Sequence, residues 1–154
     1  MANVCKICKT KFDDQEGIVH FCPNCGYRPV TNKERNEYLS QINEKLPADA
    51  KVVLTDDHKN NAKSIARAFW NIYDDSEKLT LESISCMTCI CFKEVDNKNE
   101  EIYHILADIY LLCSTYMPAD RYYLFWLNKS ADHGNVPDKL TLKYLTEGMN
   151  EITE

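Results

Sequence analysis

The stretch 4–29, VCKICKTKFDDQEGIVHFCPNCGYRP, decides how the chain begins. It contains Cys5-x-x-Cys8, thirteen intervening residues, and Cys22-x-x-Cys25. A CxxC pair turns tightly enough to aim two sulfurs at one ion, at about 2.3 Å each, and two such pairs complete a tetrahedron. Gly26, directly after Cys25, permits the positive φ that turns backbone N–H groups toward the sulfurs. The apolar residues here, among them Ile7, Phe12, Ile18 and Tyr27, are few. They cannot offset backbone ordering at about 1 to 2 kcal/mol per residue, whereas structural zinc contributes on the order of 10 to 16 kcal/mol. Residues 1–30 are therefore predicted to be a small module that folds around Zn2+ held by Cys5, Cys8, Cys22 and Cys25. Its β-prone stretches lie around Phe12 and Gly17–Phe21. His20 reads as a surface or outer-sphere histidine, because four thiolates already complete the set.

From Thr31 the pattern turns helical. Thr31 and Glu34 form a capping box, and Tyr38, Leu39, Ile42 and Leu46 recur at helical spacing until Pro47. A second helix starts at Thr55 or Asp56 and runs through Ile65, Phe69 and Tyr73. A third covers Ser76 to Val95, and a fourth runs from the Asn97–Glu100 box to Tyr116. Pro118 suits the first turn of a fifth that ends at Gly134, and a sixth starts at Asn135 and Pro137 and stops near Gly148. The fold class is thus mainly α, with a zinc-ribbon β-hairpin module at 1–30 and an all-α domain of about six helices at 31–154. The helical part has apolar faces of its own and is expected to keep its helices without metal.

The four-cysteine pattern resembles zinc ribbons and the knuckles of rubredoxins. Further along, Phe69–Tyr73, Leu106–Tyr110 and Leu140–Tyr144 each place a large apolar residue four positions before Tyr, and the tyrosines lie 37 and 34 residues apart. That is the period of a helix-hairpin repeat. Leu106-Ala107-Asp108-Ile109-Tyr110 followed by Trp126-Leu127-Asn128-Lys129-Ser130-Ala131-Asp132-His133-Gly134-Asn135 resembles the Sel-one-like subclass of tetratricopeptide repeats, over about residues 100–148. Ala107 stands where that family has a small glycine and Ser130 where it has alanine, and the earlier unit lacks the second-helix motif. The resemblance implies stacked helical hairpins that present a surface to another protein.

Charge and composition narrow the function classes. The chain carries −6, distributed unevenly: residues 1–35 hold six bases (Lys6, Lys9, Lys11, Arg28, Lys33 and Arg35) against four acids, so the remainder holds −8. A phosphate backbone bound to the helical part would face an unfavourable field. Nucleic-acid binding through the basic N-terminal residues is the less favoured alternative, and the acidic body is compatible with a phage or mobile-element inhibitor that occupies a host protein. No apolar run reaches the roughly 18 to 20 residues that a bilayer requires, and the start lacks a secretory apolar core. A cytoplasmic location is expected, with reduced thiols available for metal.

Cys86, Cys89 and Cys91 alternate with Ile84, Met87, Ile90 and Phe92, a texture in which cysteine serves as a small core hydrophobe; Cys113 is read the same way. His104 and Asp108, at i and i+4, read as a solvated polar face. No HExxH, phosphate loop or nucleophile elbow is present. A non-enzymatic protein–protein interaction adapter is the expected function. The run Tyr122-Tyr123-Leu124-Phe125-Trp126-Leu127 covers a whole helix circumference, so its helix is either buried on every side or exposes aromatics. The resemblance assigns Trp126 and Leu127 to the packed seam and leaves Tyr122 and Phe125 as the partner-binding candidates.

Overall fold

The computed structural model of this 154-residue chain describes residues 2–13, 22, 24–113 and 120–152. Two short strands, β1 (Ala2–Val4) and β2 (Lys11–Asp13), pair antiparallel with Asn3 opposite Phe12 and flank the first CxxC. The expected strand at Gly17–Phe21, and with it the ribbon hairpin and His20, lies outside the described residues. Six helices follow: α1 (Asn32–Lys45), α2 (His58–Tyr73), α3 (Leu81–Glu94), α4 (Glu100–Cys113), α5 (Asp120–Asp132) and α6 (Val136–Ile152). The molecule is mainly helical. Among the described residues, no helix is long and apolar enough to cross a membrane.

Local chemistry explains the boundaries. At α1 the Glu34 amide donates to Thr31 Oγ1 at 3.1 Å and the Thr31 amide donates to Glu34 Oε1 at 3.2 Å, the predicted capping box. Leu46, ahead of Pro47, is extended and ends the helix. The second helix starts later than Thr55 because Thr55 is tied into the loop: its amide donates to Asn61 Oδ1 at 2.7 Å, and Asp57 takes the cap. The third starts at Leu81 rather than Ser76. Asp75 first folds a turn, receiving the Glu77 amide on its side chain at 3.0 Å, and Thr80 then caps through the Ser83 amide at 3.1 Å. Gly134 closes α5 at φ +106°, as its position suggested. Beyond it α6 continues past Gly148, since one interior glycine costs only about 1 kcal/mol. The expected fourth-helix end at Tyr116 and the Pro118 turn lie outside the described residues.

From α2 onward each helix packs on the next, while α1 also lies on α3 and α2 on α4. Ile65, Phe69, Met87, Ile90, Ile105, Leu106 and Trp126 are essentially inaccessible at the centre. Cys5, Cys22, Cys25, Tyr27 and Val30 belong to that same apolar cluster, so the N-terminal segment contributes to the core of the helical body. The three periodic tyrosines do not share an environment: Tyr73 and Tyr144 are exposed, whereas Tyr110 is half-buried and faces the second CxxC.

Candidate metal centre

The two CxxC segments form the same backbone turn. In the first, the Lys9 amide donates to Cys5 O and the Cys5 amide to Thr10 O, both at 2.9 Å. In the second, the Gly26 amide donates to Cys22 O and the Cys22 amide to Tyr27 O, both at 2.8 Å. The fifth residue of each turn is left-handed, Lys9 at φ 64° and Gly26 at φ 81°. The glycine was legible in the sequence. Its lysine counterpart was not, because lysine carries no bias toward positive φ.

The turns bring the four sulfurs within 4.8 Å of one another. Cys5 and Cys25 Sγ are 3.7 Å apart and Cys8 and Cys22 Sγ 3.5 Å, and all four cysteines are free thiols. A tetrahedron with metal–sulfur bonds of about 2.3 Å has edges of about 3.8 Å, so this donor set fits a metal ion. Cys5, Cys22 and Cys25 are buried and Cys8 half-buried. Burial pushes the Cys22 and Cys25 thiols up, so that without a cation these two hold their protons. Burial opposes ionisation of Cys8 too, but the Thr10 hydroxyl, 3.1 Å from its sulfur, and Asn24 bring it down to about 6. Metal binding would release the protons of the raised pair and remove a cost of burying thiolates. Among the described residues, no other group of His, Cys, Asp and Glu converges on one point in this way.

Side chains from four elements hold the centre against the helices. Trp126 Nε1 of α5 donates to the Cys25 carbonyl at 2.8 Å. A Cβ at Gly26 would lie 2.5 Å from Tyr110 Oη, so the second turn seats at a distance that only glycine permits. Tyr27 meets Phe92 of α3 edge to face at 5.4 Å. Lys6 pairs with Asp96 at 2.8 Å, and Arg28 pairs with Glu34 of α1 at 2.9 Å and reaches Cys89 Sγ at 3.3 Å. Among the described residues, the N-terminal cations Lys6 and Arg28 are thus engaged in internal ion pairs.

The remaining sequence candidates are placed as follows. Cys86, Cys89 and Cys91 are buried in α3 and Cys113 is half-buried, in keeping with core packing. Tyr122 and Phe125 are half-buried: Tyr122 lies 5.2 Å from the Tyr110 ring and Phe125 meets Trp126 edge to face at 5.0 Å. In the aromatic run the exposed residue is Leu124, and Trp126 and Leu127 are buried. His104 and Asp108 require a correction, because they are not a solvated face. His104 Nδ1 lies 2.7 Å from Asp138 Oδ2, which also accepts the Ser130 hydroxyl at 2.6 Å, and both Asp138 and Ser130 are buried. Asp108 Oδ2 is 3.1 Å from His104 Nε2 but out of line for a hydrogen bond, and it has no other partner among the described residues. Burial pushes the Asp108 carboxyl up, against the pull of His104. These groups join α4, α5 and α6. Their sequence separations, up to 34 residues, form no local motif. The Ser130 hydroxyl donates to the Asp138 carboxylate and not to the imidazole.

Compared with known proteins, the chain matches no family model, no curated protein and no solved structure.

Proposed function

We propose that this protein is a non-enzymatic, cytoplasmic adapter that binds another protein through its helical body, with Zn2+ as a structural ion at Cys5, Cys8, Cys22 and Cys25. The observation that carries the reading is the closed donor set: four thiols converge and three of them are buried, leaving no position for a reacting water or substrate. Zinc is the choice of metal because four thiolates in a tetrahedron suit it and it undergoes no redox change. The ion would hold the two turns together and so present Gly26 and Tyr27 to the helices; no chemical step is assigned to it. Tyr122 and Phe125, with exposed Leu124 between them, are the proposed contact residues. Stacked helical hairpins, as in the Sel-one-like repeats that residues 100–148 resemble, commonly present such a face. Nucleic acid is the weaker partner, given the acidic body and the internal pairing of Lys6 and Arg28.

Elemental analysis of the purified protein should give one zinc per chain, lost on combined Cys22→Ser and Cys25→Ser substitution. Affinity purification from the native host, with the Tyr122→Ala/Phe125→Ala variant as parallel bait, tests the contact face. The variant should lose a specific protein that the parent retains and should melt close to it, whereas Leu127→Ala should cost about 2 to 5 kcal/mol as a buried cavity. If the aromatic pair destabilises as much as Leu127→Ala, both rings belong to the core and the proposed face is wrong.

A further inference from the structure

The polar side chains that join α4, α5 and α6 hold a proton that the helices alone do not account for. Asp138 is buried, and its Oδ2 lies 2.7 Å from His104 Nδ1 and accepts the Ser130 hydroxyl at 2.6 Å. A carboxylate only accepts, so Nδ1 carries a hydrogen. In a neutral imidazole that leaves Nε2 bare. Nε2 lies 3.1 Å from Asp108 Oδ2, an oxygen that solvent does not reach and that has no hydrogen-bond partner among the described residues. Two bare acceptors at that distance repel each other, and the buried oxygen is left unsatisfied. One further proton, on either atom, turns the repulsion into attraction.

The surroundings supply no other counter-charge. From α5 come Ser130 and Tyr123, whose phenol is pushed up by burial and then by the charges of Asp138 and Asp108, so that it stays neutral. From α2 comes the Trp70 ring, 6.4 Å from the imidazole. Glu101, one turn earlier on α4, is a further acid, and it lines a cleft with Lys59 and Lys63 of α2. Among the described residues, neither Asp108 nor Asp138 forms an ion pair with a lysine or arginine. The His104 side chain is 26% exposed, so the proton has a route to water. Burial pushes the Asp108 carboxyl up; His104 pulls the other way, and Asp138 adds to the rise. A carboxyl raised on folding contributes in full below the ordinary carboxylate range, and that contribution is lost as pH rises through the raised value.

We infer that His104 and Asp108 hold one proton between them in the folded chain, and that this proton latches the start of α6 onto α4 through Asp138. With the proton in place the imidazole is held from both sides, by Asp108 and by Asp138. When it leaves, the Asp108 charge pushes against Nε2, and the bond from Nδ1 to Asp138 loses its charged donor. The grip on α6 therefore loosens as pH rises. Amide hydrogen exchange of the metal-loaded, full-length protein, with parent and variants compared at matched pH, tests this. Asp108→Asn keeps the shape and gives Nε2 a permanent N–H donor. At about pH 8 its α6 amides should exchange about tenfold more slowly than the parent's, and the ratio should shrink as both are brought to about pH 5. Asp108→Ala, which removes the facing oxygen and supplies no donor, should protect α6 less than Asp108→Asn at both values. The α3 amides are the control and should not move. A ratio near one at about pH 8, or a ratio that does not change with pH, overturns the inference. So does equal protection by the two variants, because relief of repulsion and not a shared proton would then hold α6, and so does a change of equal size in α3.

Discussion

The turns at Cys5–Cys8 and Cys22–Cys25 share a backbone but not a setting. Each closes on a left-handed residue, and in the first that residue is an exposed lysine. Positive φ alone therefore does not account for glycine in the second. What distinguishes Gly26 is its neighbour: the Tyr110 ring and hydroxyl occupy the space a Cβ would take. One glycine serves two purposes, and only the comparison separates them. The first turn enters the core through Cys5 but leaves Lys6 and Lys9 exposed, with Lys6 paired to Asp96, whereas Cys22, Cys25 and Tyr27 of the second are all buried in the helical core.

The largest test of this contrast is metal removal. A chelator strong enough to compete for a structural zinc, worth on the order of 10 to 16 kcal/mol, should open both turns. Circular dichroism should then retain most of the helical signal but show a lower melting midpoint, because Cys25, Tyr27 and Val30 leave the core. An unchanged midpoint would make the seated turn dispensable, and complete loss of helicity would make it integral.

A smaller loss is expected from Gly26→Ala, at least about 2 kcal/mol from left-handed strain and the contact with Tyr110 together. Adding Tyr110→Phe should recover the larger part of the steric share, leaving the ring carbon at 3.1 Å and the conformational share, which denaturant titration of Gly26→Ala, Tyr110→Phe and the double variant separates. The smallest effect belongs to Lys9→Gly, within about 1 kcal/mol in either direction, since relief of φ strain is offset by a freer unfolded chain. If Lys9→Gly perturbs metal content or stability as much as Gly26→Ala does, the two turns are equivalent and the seating argument fails.

What can be read in advance is what is written locally. Four cysteines at CxxC spacing, the Thr31–Glu34 box and Gly134 each act within a few residues, and each does in the structure what its chemistry demands. Thr80 is hidden as a cap because Asp75 and Ser76 offer the same chemistry a few residues earlier, and only the turn they form decides between them. Contacts of long range are not legible at all. Nothing near Lys6 announces Asp96, and nothing near His104 announces Asp138 and Ser130, so an i, i+4 polar pair reads as a wet surface. The aromatic run at 122–127 is visibly too apolar to be wholly exposed, but which side stays open depends on where α4, α6 and the second turn lie.

The bond from Trp126 to the Cys25 carbonyl spans 101 residues, and that separation orders events on the ribosome. The thiols of both turns are available once Cys25 has emerged, but their seat is not yet made. At about 5 to 20 residues per second, α5 follows on the order of 5 to 20 s later. During that interval the turns could hold an ion and meet Phe92 of α3 and Tyr110 of α4 while the Cys25 carbonyl still waits for its donor from α5, so the Trp126 bond is the last of these contacts that synthesis permits.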